Sequence, residues 1–266
     1  KEKEKEHHHL SSAFRSASLL YPGLRLIRQP PLECLLSFLC SQNNNVKRIT
    51  KMIDALCSSY GDQLTLDPPL YSFPTLPQLS AATEDELRTL GFGYRAKYIC
   101  QATKTLEEKG AEDWLFQLRQ TPNPDEVVVN LTMLPGVGMK VASCVALFSL
   151  DKVGVVPVDT HVWDIVRRFS PQLSEKKTIT PAVHQQVGEF FREEFGEEAG
   201  WAHCILFAGE LPALKKEMEG GSSKKPQKKK PKTPKSETKS QKAASSTKKK
   251  TQPTKEKQDK KRKRET

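Results

Sequence analysis

Apolar residues recur at helical spacing along most of the chain before Gly220, and alternating strand-like runs are nearly absent. Leu32–Gln42 is almost continuously apolar, which predicts a central buried helix. Val46, Ile49, Ile53, Leu56 and Cys57 mark one face of a helix over Val46–Tyr60, with Gly61 as its stop. Leu64–Leu79 is rich in Pro and Ser and predicts irregular chain. Thr83-x-x-Glu86 is a capping-box pattern for a short helix ending before Gly91. Further helices are predicted over Tyr94–Lys109, Pro124–Met133, Lys140–Leu150, Asp159–Phe169, Pro181–Phe195 and Ala199–Leu211. Only Val153–Val156 has strand character. The prediction is an all-α core over residues 10–214 built from roughly ten helices, with a hairpin of two helices at 124–150.

Charge divides the chain differently from hydrophobicity. The 266 residues carry a net charge of +11, yet residues 220–266 alone hold 19 Lys+Arg against 4 Asp+Glu. The rest is therefore slightly acidic, and phosphate contacts of the core must come from local patches or backbone dipoles. Residues 215–266 contain too few apolar side chains to fold and are expected to be disordered, as are residues 1–9. The run Lys260–Arg264 and the cluster Lys228–Lys232 suit nonspecific DNA affinity and a nuclear address, with the mitochondrion as a second compartment. A solubilising tail has the same composition. There is no apolar run of eighteen residues, so no transmembrane helix and no membrane partner are expected. Six widely spaced cysteines without a CxxC read as free thiols, not as an iron–sulfur or zinc framework. The chain starts on Lys1, without a methionine or a signal peptide, which suggests processing or a piece of a longer protein.

Candidate chemistry centres on Leu134-Pro135-Gly136-Val137-Gly138-Met139-Lys140 and on Val156-Pro157-Val158-Asp159-Thr160-His161. The first is a helix-hairpin-helix turn, whose glycines let backbone N–H groups at a helix start approach a phosphate. An ordinary tight connection between helices also needs such glycines. Lys140, in the first turn of the second helix, can act as an amine nucleophile that forms a Schiff base, or can simply pair with a phosphate. Cys144 shares its face, as a site thiol or a core thiol. Asp159 can stabilise developing positive charge or relay protons, and it can equally be a helix N-cap. His161 fits a phosphate contact or a packed position. Asn43 and Asn44, in the polar run that ends a buried helix, can replace an extruded base or cap the next helix. Arg48 could then hold the orphaned partner base. Tyr94 and Arg95 fit a stacking wedge with a hydrogen-bonding arginine, or a plain helix start.

Together these motifs resemble the helix-hairpin-helix DNA glycosylases. Cys40-Ser41-Gln42-Asn43-Asn44-Asn45-Val46-x-Arg48-Ile49, Leu90-Gly91-Phe92-Gly93-Tyr94-Arg95-Ala96 and Gly200-Trp201-Ala202-x-x-x-Leu206-Phe207 resemble more narrowly the eukaryotic 8-oxoguanine DNA glycosylase/AP lyases. The resemblance covers about residues 10–211. It implies a base-excision enzyme that flips 8-oxoguanine out from opposite cytosine and cleaves the strand by β-elimination. Lys140 would be the Schiff-base nucleophile and Asp159 the catalytic carboxylate. Pro157, Asp159, His203, Phe207 and Cys144 would surround the flipped base. Asn43, Arg48 and Arg95 would face the estranged cytosine, with Tyr94 as wedge. Gly136, Gly138 and His161 would contact the DNA backbone. Carbonyls of Thr132, Leu134 and Val137 would hold a structural monovalent or divalent cation, with no other cofactor required. The implied partner is double-stranded DNA with oxidised guanine or abasic sites, met by a monomer.

Two departures from the family's pattern stand out. The family usually has glutamine where this chain has His203, which bears on base specificity because an imidazole presents its donor and acceptor on a different shape. Few residues precede Leu32, so the family's N-terminal β-rich domain is expected to be absent or truncated. Two other readings compete. Glycosylases of different base specificity usually carry a four-cysteine loop, and none follows Cys204. A non-catalytic DNA-binding module would need neither Lys140 nor Asp159.

Overall fold

The computed structural model describes residues 10–210. The expected disordered segments at 1–9 and 215–266, and positions 211–214 of the expected core, lie outside the described residues. The first helices are α1 (Leu10–Leu20), α2 (Pro31–Ser41) and α3 (Val46–Tyr60), followed by strands β1 (Gln63–Leu66) and β2 (Pro69–Tyr71). Then come α4 (Leu76–Ser80), α5 (Glu84–Thr89), α6 (Arg95–Glu108), α7 (Ala111–Gln120), α8 (Pro124–Thr132) and α9 (Met139–Ser149). Helices α10 (Thr160–Arg167), α11 (Pro171–Ser174), α12 (Pro181–Phe195) and α13 (Ala199–Glu210) complete the described chain. The all-α prediction holds, with the β1–β2 hairpin as a small addition.

Local sequence sets many of the boundaries. Pro31, Pro124 and Pro181 stand at helix starts, where a missing N–H costs nothing. Asn45 caps α3, Asn123 caps α8 and Thr180 caps α12 through side-chain oxygens. The predicted capping box at Thr83 and Glu86 is formed on α5. All six cysteines are free, as expected, and Cys34, Cys40 and Cys144 are buried. Among the described residues no helix is long and apolar enough to cross a membrane.

The buried residues form two clusters. Leu35, Leu39, Ile99, Leu115, Leu131 and Val145 belong to the first, where α9 packs against α2 and α8. Leu10, Trp163, Val187, Phe191 and Leu206 belong to the second, where α13 packs against α1, α10 and α12. The segment Val155–Val158 joins them: Val155 lies in the first cluster, Val156 and Val158 in the second. Gly200 allows α13 to rest on this segment. Its N–H donates to the Val153 carbonyl at 2.8 Å, and a Cβ there would stand 2.5 Å from the carbonyl oxygens of both Val153 and Val155.

Three expectations are corrected. Leu64–Leu79 is not wholly irregular, since it holds most of the β1–β2 hairpin and α4. The four residues of β1 are all exposed, so no alternation betrays the strand. Val153–Val156 is not a strand: the Val155 N–H is used locally on the Lys152 carbonyl, and the Val153 carbonyl serves α13. Helices α1, α4, α7 and α11 were not anticipated. The last of these is a single turn.

Candidate active site and nucleic-acid interface

Lys140 is the second residue of α9, directly after the hairpin turn. It is half-buried, and its Nζ lies 5.1 Å from the centre of the Phe38 ring on α2. An aromatic face beside an ammonium is a cation–π contact that fixes the end of an otherwise flexible side chain. Phe38 is stacked on Phe148 at 5.7 Å, which fixes the ring in turn. Cys144, one turn along α9, is buried. Burial pushes its thiol up to about 11, and the Lys140 amine opposes part of that rise. Cys144 is therefore a neutral thiol at pH 7.

Asp159 is the N-cap of α10. Its Oδ1 accepts from the N–H groups of His161 and Val162, both at 3.0 Å. The second carboxylate oxygen takes no part in the cap. The Asp159 charge is felt at Cys144 and at His203, and the Lys140 charge is felt at the same two side chains. The amine and the carboxylate thus converge on one buried neighbourhood, although α9 and α10 belong to different clusters.

α13 supplies the third wall. His203 is only 6% exposed, and burial pushes its imidazole down to about 4, so the ring is neutral. The ring lies 6.1 Å from Phe191 and 6.1 Å from Phe207, and its Nδ1 is 3.6 Å from the Cys204 sulfur. Phe207 also meets the exposed His161 edge-on at 5.9 Å. Pro157 is buried just ahead of Asp159. The structure therefore brings together Lys140, Cys144, Asp159, His161, His203 and Phe207.

The two hairpin glycines serve different purposes. Gly136 has φ +80°, and a Cβ there would stand 2.5 Å from Cγ of Tyr98. Only glycine fits, for a structural reason. Gly138 has no atom within 4 Å of a would-be Cβ, and it caps α9. Open space over the start of a helix is what a phosphate oxygen needs to reach the first N–H groups. The Leu134 carbonyl accepts the Val137 N–H at 3.0 Å, and Thr132 ends α8, where carbonyls have no intrahelical partner. Among the described residues no group of three His, Cys, Asp or Glu is placed to hold a metal ion.

A second group lies on the loop after α2 and the start of α6. Asn43 is exposed with φ +44°, a left-handed conformation that asparagine tolerates. Asn44 points back, donating from Nδ2 to the Cys40 carbonyl at 2.8 Å. Arg48 is exposed and reaches the Gly91 carbonyl at 3.2 Å. Tyr94 is 45% exposed, and its hydroxyl donates to the Gln42 carbonyl at 3.2 Å. Arg95 sits differently from the base-facing arginine expected. It is 2% exposed, its guanidinium donates to the carbonyls of Gln42 and Asn43, and its Nε is buried without a partner. In this structure Arg95 shapes the Asn43 turn from inside.

Sequence reasoning passed over three residues. Gln42 donates from Nε2 to the Gly136 carbonyl at 2.7 Å and so joins the asparagine loop to the hairpin. Its place at the end of a buried apolar helix was a usable signal. Phe38 and His184 gave none, since one aromatic in an apolar run and one histidine on a helix are ordinary core residues.

The two buried histidines make acid stability a test of this geometry. Each is neutral when folded, with its value held near 4, whereas an unfolded imidazole titrates near 6.5. The unfolded chain therefore binds protons that the folded chain refuses. The stability they support is full above pH 6.5 and is lost as pH falls toward 4, by up to about 3 kcal/mol per imidazole. Denaturant midpoints measured from pH 7 to pH 4.5 are expected to fall steeply. A double variant with His184→Gln and His203→Gln should show a clearly shallower slope, and an equal slope would refute the assignment.

The hairpin turn, the lysine, the carboxylate and the aromatic ring of Phe207 thus lie on adjoining elements around Cys144 and His203. Residues 36–186 match the family described as HhH-GPD superfamily base excision DNA repair protein, and the chain belongs to that family. It is 50% identical over 198 residues to the N-glycosylase/DNA lyase OGG1 of Arabidopsis thaliana, across 73% of this chain and 53% of that protein. It is 37% identical over 235 residues to the N-glycosylase/DNA lyase of Saccharomyces cerevisiae, across 79% of this chain and 62% of that one. Among solved structures it resembles the Clostridium acetobutylicum 8-oxoguanine glycosylase/lyase in complex with dsDNA containing cytosine opposite to 8-oxoG. The TM-score is 0.65 at 30% identity, covering 75% of this chain and 66% of that one. The chain thus spans between 53% and 66% of the length of these proteins.

Proposed function

We propose that this chain is a DNA N-glycosylase with β-elimination lyase activity that removes 8-oxoguanine opposite cytosine from double-stranded DNA. The observation that carries the reading is the convergence of Lys140 and Asp159 on the same buried neighbours, Cys144 and His203. The Lys140 nitrogen attacks C1′ as the glycosidic bond breaks, and the departing base takes up the proton that the nitrogen gives off. Asp159, whose second oxygen is not used by the cap, stabilises the cationic sugar. Ring opening gives a Schiff base between C1′ and Nζ. Loss of a C2′ proton then expels the 3′ phosphate.

The flipped base would stack on Phe207, with Cys144 opposite, Pro157 at its edge and the neutral His203 at its pairing edge. Asn43, Asn44 and Arg48 would fill the duplex opposite, with Tyr94 as wedge, and Arg95 would join them by turning outward. Gly136, Gly138 and His161 would follow the phosphates. A cation, where bound, would sit on the carbonyls of Thr132, Leu134 and Val137. The Lys260–Arg264 run supports the nucleus as compartment.

Single-turnover assays should compare duplexes carrying 8-oxoguanine opposite cytosine, 8-oxoguanine opposite adenine, and guanine. Base release and 3′-side cleavage are expected from the first, far ahead of the others. Cleavage of a preformed abasic site without release of 8-oxoguanine would refute the glycosylase half alone.

A further inference from the structure

Helix α12 carries His184 in its first turn, and the ring is 7% exposed. Its Nε2 lies 3.3 Å from the main-chain N of Val158 and 3.4 Å from Oγ of Ser143. Val158 immediately precedes Asp159, and Ser143 lies three residues beyond Lys140 on α9. A main-chain N–H can only donate, so Nε2 is the unprotonated acceptor and the ring proton is on Nδ1. The buried Ser143 hydroxyl can share the same lone pair. One imidazole therefore holds the segment bearing the carboxylate and the helix bearing the amine. Without it, the N–H of the buried Val158 has no acceptor, and the segment is free to shift relative to α9.

We propose that His184 is a positioning residue that sets the Asp159 carboxylate against the Lys140 amine by accepting from Val158 and Ser143. The role rests on the reading of Lys140 and Asp159 given above. Small displacements of reacting groups are costly in rate, so the effect should fall on the chemical step and not on DNA affinity. The ring also borders a cavity of about 370 Å³ lined by Val128, Val129, Met139 and Val156, among others. A side chain of similar size therefore has room, and a loss of rate would not come from overpacking.

The full chain is tested as His184→Leu, which removes the acceptor, and as His184→Gln, whose Oε1 can restore it. Borohydride trapping on an abasic-site duplex, at saturating protein, reports Schiff-base formation. Binding to a duplex with a tetrahydrofuran abasic analogue reports affinity. His184→Leu is expected to slow trapping by about tenfold or more with affinity within about twofold, and His184→Gln to recover most of the rate. Trapping by His184→Leu at the unsubstituted rate overturns the proposal, as does an equal loss in the Leu and Gln variants. If His184→Leu does not fold, Ser143→Ala removes the α9 anchor alone. A smaller loss of rate at unchanged affinity is then expected, and an unchanged rate overturns the proposal. If His184→Leu leaves trapping unchanged while Lys140→Gln abolishes it, only the positioning role falls. If the unsubstituted chain forms no adduct, the functional reading falls and the positioning role falls with it.

Discussion

Lys140→Gln is expected to abolish the borohydride-trapped adduct on an abasic-site duplex while leaving noncovalent binding largely intact. Glutamine has no nucleophilic amine, so no Schiff base can form at this position. The substitution is mild for the fold, because Lys140 is half-buried and takes part in no salt bridge among the described residues. The contact it gives up is the cation–π approach to Phe38, worth about 0.5–1 kcal/mol at such sites. A fall of about a thousandfold or more in single-turnover cleavage is therefore attributable to chemistry and not to unfolding. Adduct formation by Lys140→Gln at the parent rate would remove Lys140 from the mechanism. Survival of binding is the second half of the result, since on the proposed reading Gly138 and the N–H groups of α9 would meet the phosphate without help from the lysine.

The sequence showed the helices with wide apolar faces and the residues whose chemistry is local. Helix α3 announced itself by period, α2 by its almost continuous apolar run, and the hairpin by its Pro-Gly-x-Gly turn before an apolar run. What stayed hidden depends on tertiary partners. Strand β1 leaves all four residues exposed, so its hairpin carries no buried-face pattern. Val153–Val156 looks like a strand by composition, but its backbone groups serve α13 and a local turn. Arg95 has the same sequence whether it faces DNA or the Gln42 and Asn43 carbonyls, and only the packed structure shows it turned inward. His184 is the clearest case. A histidine on an amphipathic helix says nothing about the Val158 N–H and Ser143 hydroxyl that reach it from two other segments.

Asp159 separates the bland reading from the functional one by a comparison of two variants. As an N-cap it uses one oxygen to accept from His161 and Val162 at 3.0 Å. Asparagine offers the same oxygen, so Asp159→Asn should retain the cap and lie within about 0.5 kcal/mol of the parent, whereas Asp159→Ala should lose about 1 kcal/mol. If capping were the whole role, Asp159→Asn would cleave normally and Asp159→Ala would merely be less stable. The electrostatics argue otherwise. The carboxylate raises the values of both His203 and Cys144, so its charge reaches the side chains beside Lys140 as well as the helix start. Both variants should therefore slow single-turnover base release by about a hundredfold or more, the cost of losing an ionic stabiliser of a cationic sugar. Denaturant midpoints and release rates measured on the same preparations decide the matter. A normal rate for Asp159→Asn beside a weakened Asp159→Ala would reduce Asp159 to a cap. Equal rate losses with unequal stabilities would show that one oxygen starts the helix while the charge of the group does the chemistry.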